Sequence, residues 1–212
     1  MRVNLEARAA NAENRRARTR QRLIEAAMAV IAEKGPEASS IEDFVAAAGV
    51  SRGTFYNYFP AVGDLLDALN NHLAVEFDRR LGVAAEGVDD PALVLALIVH
   101  ESFRIVATDP LEGWVAMRIE RSSRPRQALV AARFDAIFQW AVGRGRFRPV
   151  NPDAARNLIF GAVRMAQAEV ISASADPAHA IDLVSLILIA YGLTAAEADE
   201  ISQAAVERLS DR

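Results

Sequence analysis

Residues Ser40 to Phe59 read SIEDFVAAAGVSRGTFYNYF, two short helical patterns separated by a tight turn. Ser40 is placed to cap the first, and Asp43 three residues on completes a capping box of the weaker, aspartate type. Ile41, Phe44, Val45 and Ala48 recur at helical spacing and give that segment one apolar face. Gly49 ends it, because only a residue without a Cβ takes the left-handed conformation at little cost. Val50 anchors the turn, and Ser51 can cap a second helix expected over 52–59. A helix, a turn of about three to four residues and a second helix is the arrangement that presents the second helix to the major groove of DNA. Its composition suits that use. Arg52, Gly53, Thr54, Tyr56, Asn57 and Tyr58 offer donors and a bare backbone, while Phe55 and Phe59, four apart, turn inward.

Working outward, a basic stretch leads into TRQRLIEAAMAVIAEKG (Thr19 to Gly35), an amphipathic helix stopped by glycine. After RGTFYNYF another long helix begins near Gly63-Asp64-Leu65-Leu66. In this order the parts from about Arg16 to Asn71 resemble the DNA-binding domain of the TetR family of transcriptional regulators. The resemblance implies a homodimeric, ligand-responsive regulator, a repressor, bound to a near-palindromic DNA operator. It also implies a C-terminal helical bundle that holds a small-molecule effector and the dimer interface. DNA-facing residues would be Arg18, Ser40, Ser51, Arg52, Gly53, Thr54, Tyr56, Asn57 and Tyr58. One position departs from the pattern. Where such proteins usually carry a phosphate-touching lysine, at the start of the next helix, this chain has Val62.

The formal charge of −4 is unevenly spread. Residues 1–59 hold eight arginines and Lys34 against seven acids, and the remainder carries the acidic excess. Positive charge thus gathers where a phosphate backbone would lie. Residues 1–15 are expected to form a flexible basic arm, 16–76 the DNA-binding domain and 77–212 the ligand-binding and dimerisation domain. Arg16, Arg18 and Arg20 adjoin the first long helix and suit phosphate or minor-groove contact; a solvated basic tail is the plainer reading for the residues before them. Cysteine is absent, which excludes disulfides and thiol chemistry. The N-terminus lacks the apolar core of a secretory signal, and the apolar residues are periodic instead of forming a membrane-length block. A cytoplasmic protein with no membrane partner is expected.

Beyond residue 60 the chain reads as helical throughout, so the expected fold class is all-α: a three-helix reading head followed by a helical bundle. Asp90-Pro91, Asp109-Pro110, Asn151-Pro152 and Asp176-Pro177 each pair a capping residue with a proline at the first helical position. Thr194 with Glu197 forms a capping box just after Gly192. Helices are expected over 19–33, 40–47, 52–59, 63–81, 91–107, 110–122, 126–143, 152–174, 177–191 and 195–209. The segment Ala92–Ala107 is apolar on more than one side, as suits the middle of a bundle. Ala180–Leu193 is equally apolar but lies near the end of the sequence. Leu183, Leu186, Ile187, Ile189 and Ala190 are therefore expected at a dimer interface, with burial under the following helix as the alternative.

Catalytic and metal signatures are missing. His72, His100 and His179 are scattered, no metal-ligand spacing or nucleophile elbow occurs, and no cofactor is expected. Gly143-Arg144-Gly145-Arg146 reads as the turn that ends a helix. An effector pocket would combine aromatic walls with a few polar groups. His100, Phe103, Trp114, Met117, Arg118, Phe138 and Met165 are the candidates, and Arg164 and Gln167 interrupt an apolar helix nearby. Histidines and aromatics at this spacing also serve as ordinary core residues. A competing reading makes the whole chain a helical ligand-binding or enzymatic protein whose helix-turn-helix is only structural.

Overall fold

The computed structural model describes residues 2–122, 124–172, 176 and 178–210. The described residues form ten α-helices and no strand. Contacts divide the chain into two units, one ending at Leu73 and one beginning at Ala74.

The first unit contains α1 (Arg2–Lys34), α2 (Ile41–Ala48), α3 (Arg52–Tyr56) and the start of α4 (Val62–Ala84). Leu23, Ile24, Ala27 and Ile31 of α1 meet Phe44 of α2, Phe55 of α3 and Leu65 and Leu69 of α4 in its buried core. Helix α1 runs unbroken from Arg2, through the segment expected to serve as a basic arm. The segment is rich in alanine, glutamate and arginine, all strong helix formers. Its side chains from Ala7 to Arg18 are exposed, so propensity rather than packing accounts for the extension.

The second unit contains the remainder of α4 with α5 (Pro91–Thr108), α6 (Pro110–Ser122), α7 (Arg124–Gly143), α8 (Pro152–Ile171), α9 (His179–Ala190) and α10 (Ala195–Ser210). Asp90 caps α5 by accepting from the Ala92 N–H at 3.0 Å, and Asn151 caps α8 by accepting from Ala154 at 3.0 Å. Asp109 does the same for α6, accepting from Glu112 at 2.9 Å. The expected start at Asp176-Pro177 differs: Pro177 lies outside the described residues, as do 173 and 174 of the expected 152–174 helix, and α9 begins at His179. The reciprocal Thr194–Glu197 box precedes α10.

Helix α5 has the length and hydropathy of a membrane span, yet it packs against α6, α7, α8, α9 and α10. Leu95, Leu97, Val99, Phe103, Ile105 and Val106 are all buried, which accounts for its all-round apolarity. At one end of the bundle Phe134 and Phe138 of α7 close with Phe147 and Tyr191 into an aromatic cluster. The Tyr191 hydroxyl donates to the Ala155 carbonyl at 2.8 Å, so the buried phenol has its partner, and burial pushes its pKa up. Arg146 bonds Asp90 at 3.0 Å and reaches Glu197 at 3.5 Å, joining the turn after α7 to the starts of α5 and α10. That turn passes through Gly145 at φ 69°.

Candidate nucleic-acid interface and helical-unit cavity

The helix-turn-helix is built by caps at each junction. Ser40 Oγ accepts from the Asp43 N–H at 3.3 Å, and an Asp43 carboxylate oxygen accepts from the Ser40 N–H at 2.9 Å. Hydrogen bonds from Lys34 and Ser40 hold the Asp43 carboxyl down to about 2. At the far end of α2, Gly49 sits at φ 62° and ψ 42°, and the Val50 N–H donates back to Val45 at 3.0 Å. A side chain at Gly49 would be strained by that backbone and would crowd the Arg22 guanidinium, which itself donates to the Ala48 carbonyl. Ser51 then caps α3, accepting from the Thr54 N–H at 3.0 Å.

Helix α3 is shorter than the expected 52–59, ending at Tyr56 with Asn57 as its C-cap. Pro60 cannot donate to the turn before it, and Phe59 is drawn into the core instead of extending the helix. Phe55 and Phe59 are buried, with ring centres 6.0 Å apart and planes tilted by 49°. Their burial leaves Arg52, Gly53, Tyr56 and Asn57 exposed and Thr54 and Tyr58 half-buried.

Arg52 is in contact with neighbours on α2 and α3. It pairs with Glu42 of α2 at 2.6 Å and lies over the Tyr56 ring at 5.8 Å, with a long hydrogen bond of 3.4 Å to the Tyr56 hydroxyl. A groove beside α3 is lined by Arg15, Arg16 and Thr19 of α1 and by Thr54, Asn57 and Tyr58. Arg16 lies over the Tyr58 ring at 5.8 Å, and Arg20 over Phe59 at 5.4 Å. Arg18 is exposed on α1 and outside this groove, whereas Arg15 was not singled out in the sequence. Its position, one residue before Arg16 and one turn before Thr19, was the available signal. Ser40 is exposed, but the carboxylate of Asp43 already accepts from both its N–H and its hydroxyl. Val62 opens α4, where Asp64 accepts from the Ala61 N–H at 2.8 Å.

A cavity of about 230 Å³ lies within the second unit, enclosed by α5, α6, α7 and α8 and by Phe77 of α4. Its wall is largely apolar, with Ile98, Phe134 and Phe160 prominent, and its polar groups are Ser102, Arg133, Arg164 and Gln167. Gln167 Nε2 donates to Ser102 Oγ at 2.9 Å, and Ser102 donates in turn to the Val99 carbonyl at 2.6 Å. Arg133 grips Asp78 of α4 with both terminal nitrogens, at 2.5 and 2.9 Å. Gly113 permits close crossing of α6 over α5: a Cβ there would come within 2.9 Å of Val106 Cα.

Of the residues proposed from sequence for an effector, only Met117 reaches this cavity. His100 is buried on the opposite side of α5, 3.0 Å from Ser202 Oγ of α10, and desolvation lowers its pKa to about 4. Phe103 packs edge-on against the His179 ring at 5.9 Å. Phe138 belongs to the aromatic cluster, Arg118 stacks over Trp114 at 4.3 Å, and Met165 is 65% exposed. Arg133, Phe134 and Phe160 were missed, since nothing in a one-dimensional helical pattern tells a cavity wall from an ordinary core face. Arg164 and Gln167, noted as interruptions of α8, do line it.

The expected interface residues on α9 also divide. Ile187 is buried at 4% exposure among α9 and α10 core residues and is not available to a partner. Leu186 (63% exposed) and Ile189 project outward, as do Leu158 and Met165 of α8, while Leu183 and Ala190 are half-buried. Helices α10, α5 and α8 all pack against α9, and Leu186 and Ile189 are what remains outward.

Residues 23–69 match the family of bacterial regulatory proteins, tetR family. The HTH-type transcriptional regulator YvdT of Bacillus subtilis is 34% identical over 85 residues, 40% of this chain and 44% of that protein. The HTH-type transcriptional repressor Rv3405c of Mycobacterium tuberculosis is 28% identical over 115 residues, 54% of this chain and 56% of that one. The chain thus spans about half the length of the curated relatives it matches. Among solved structures, RolR in complex with resorcinol superposes with a TM-score of 0.62 over 90% of this chain and 95% of its own, at 27% identity. The match over the reading head, the all-helical fold and the named relatives agree: residues 23–69 are a TetR-family DNA-binding domain, carried in a fold similar to that of RolR.

Proposed function

We propose that this protein is a sequence-specific, DNA-binding transcriptional regulator, a repressor that acts as a homodimer and answers to a small molecule. The observation that carries the reading is the donor-rich face of α3, set by buried Phe55 and Phe59 and flanked by the Arg15–Arg16 groove. Arg52, Thr54, Tyr56 and Asn57 read base edges, and Arg15, Arg16 and the Tyr58 hydroxyl hold phosphates. Ser51, Gly53 and the start of α3 allow close approach of backbone to the DNA. Two copies join through the exposed apolar faces of α8 and α9, so that one dimer meets both halves of a near-palindromic operator. A cytoplasmic setting goes with this role.

RolR, similar over nine-tenths of this chain, has been solved with resorcinol bound. That supports assigning the 230 Å³ cavity to a small organic effector. Its volume falls below the roughly 300–1,000 Å³ of drug-sized sites. Occupancy shifts α4, which carries Phe77 and Asp78 and continues into the first unit, and so changes the spacing of the two α3 helices. A hundredfold release from DNA needs a preference of only about 2.7 kcal/mol for the non-binding state. The test is selection of bound fragments from the fragmented source genome, followed by mobility shift. Recovery of one or a few near-palindromic sites supports the reading; no fragment retained at moderate salt refutes it.

A further inference from the structure

The cavity's polar groups are unequal in kind, and the inequality specifies a ligand chemistry. Ser102 spends its hydroxyl proton on the Val99 carbonyl and accepts from Gln167. Gln167 retains a second amide proton. Arg133 commits one proton from each terminal nitrogen to Asp78, and no acceptor among the described residues meets its Nε. A guanidinium has five N–H donors, so the Nε edge remains able to donate. Arg164 also lines the wall, and among the described residues no aspartate or glutamate does. The Arg133 Nε edge and the second Gln167 amide proton are therefore donors that a ligand can use. The remaining wall is hydrocarbon and aromatic rings.

On the reading of this cavity as the effector site, we propose that its ligand is a small monocarboxylic acid with an apolar body, bound as the carboxylate. Arg133 takes one carboxylate oxygen on its Nε edge, which leaves Asp78 in place on the other, and the apolar body lies against Ile98, Phe134 and Phe160. Charge-assisted hydrogen bonds to a guanidinium are about twice as strong as neutral ones, and they discriminate an acid from its amide or alcohol. Because Asp78 belongs to α4, the same guanidinium joins the ligand's charge to that helix. A cationic ligand would find no comparable acceptor, because the Asp78 carboxylate is already held by Arg133.

The test is calorimetry on the full chain, without DNA, using butanoate, hexanoate, octanoate and 3-phenylpropionate beside their primary amides. At least one acid is expected to bind about tenfold or more tightly than its amide, with the preference falling as pH drops through the acid's own pKa near 5. Arg133→Gln should abolish the preference, so that acid and amide bind with equal affinity. Asp78→Asn removes the same ion pair but keeps the cation, and should retain the preference; it controls for loss of the α4–α7 link, with circular dichroism reporting the fold. Equal binding of acids and amides, binding of neither series, or an acid preference that survives Arg133→Gln would each overturn the assignment. An acid that binds as expected but leaves operator binding unchanged would support the ligand class and refute its role as inducer.

Discussion

Replacing His100 by Gln should remove a specific pH dependence of stability. His100 is 6% exposed and hydrogen-bonded to Ser202, and burial lowers its pKa from 6.5 to about 4. The unfolded chain takes up the proton as pH falls below 6.5; the folded chain resists it until about 4. Stability contributed by the neutral ring is therefore complete above 6.5 and lost progressively between 6.5 and 4. A gap of this size corresponds to about 3 kcal/mol per protomer. Urea unfolding at fixed protein concentration, at half-unit steps from pH 4 to 8, measures it; concentration is held constant because association shifts apparent stability. The His100→Gln variant keeps a side-chain amide near Ser202 but cannot titrate in this window. Its profile should be flatter than the parent's by about 3 kcal/mol between pH 6.5 and 4. Parallel profiles for the two proteins would refute the neutral, buried histidine.

Other outcomes follow from the same contacts. Arg52→Ala should weaken operator binding by about 1–3 kcal/mol in anisotropy titrations, whereas Glu42→Gln should strengthen it by releasing Arg52 and removing a negative charge. Leu186→Asp should give folded monomers by light scattering; Ile187→Asp should unfold the chain instead, because it buries an unpaired charge. Gly113→Ala should lower the urea midpoint, since overpacking against Val106 costs about 1–3 kcal/mol and the gain in helix propensity is about 1 kcal/mol.

The reading head was legible in the sequence because its information is local. Gly49 must take a positive φ, Ser40 and Ser51 cap within three residues, and Phe55 and Phe59 share a face four residues apart. Proline starts at Pro91, Pro110 and Pro152 were equally plain. Long-range facts were not. The burial of Ile187 depends on where α10 runs, and no pattern within α9 separates it from exposed Leu186. His100 interrupts an apolar helix as a ligand-contacting residue would, yet its partner is Ser202, 102 positions away. Arg133 and Phe134 became cavity residues only through the packing of α7 against α5. The N-terminal start of α1 was hard to read for a different reason. Charge and position argued for a flexible arm, while the helix propensity of the same residues favours continuity with α1.

The central claim is that the α3 face and the Arg15–Arg16 groove bind DNA. Fluorescence anisotropy with the selected operator, titrated across salt concentrations, tests it most directly. The logarithm of affinity should fall linearly with the logarithm of salt, and Arg16→Ala should reduce the slope by about 1 while weakening all sequences alike. Affinity that is independent of salt, or a slope unchanged by Arg16→Ala and Arg15→Ala together, would contradict the account.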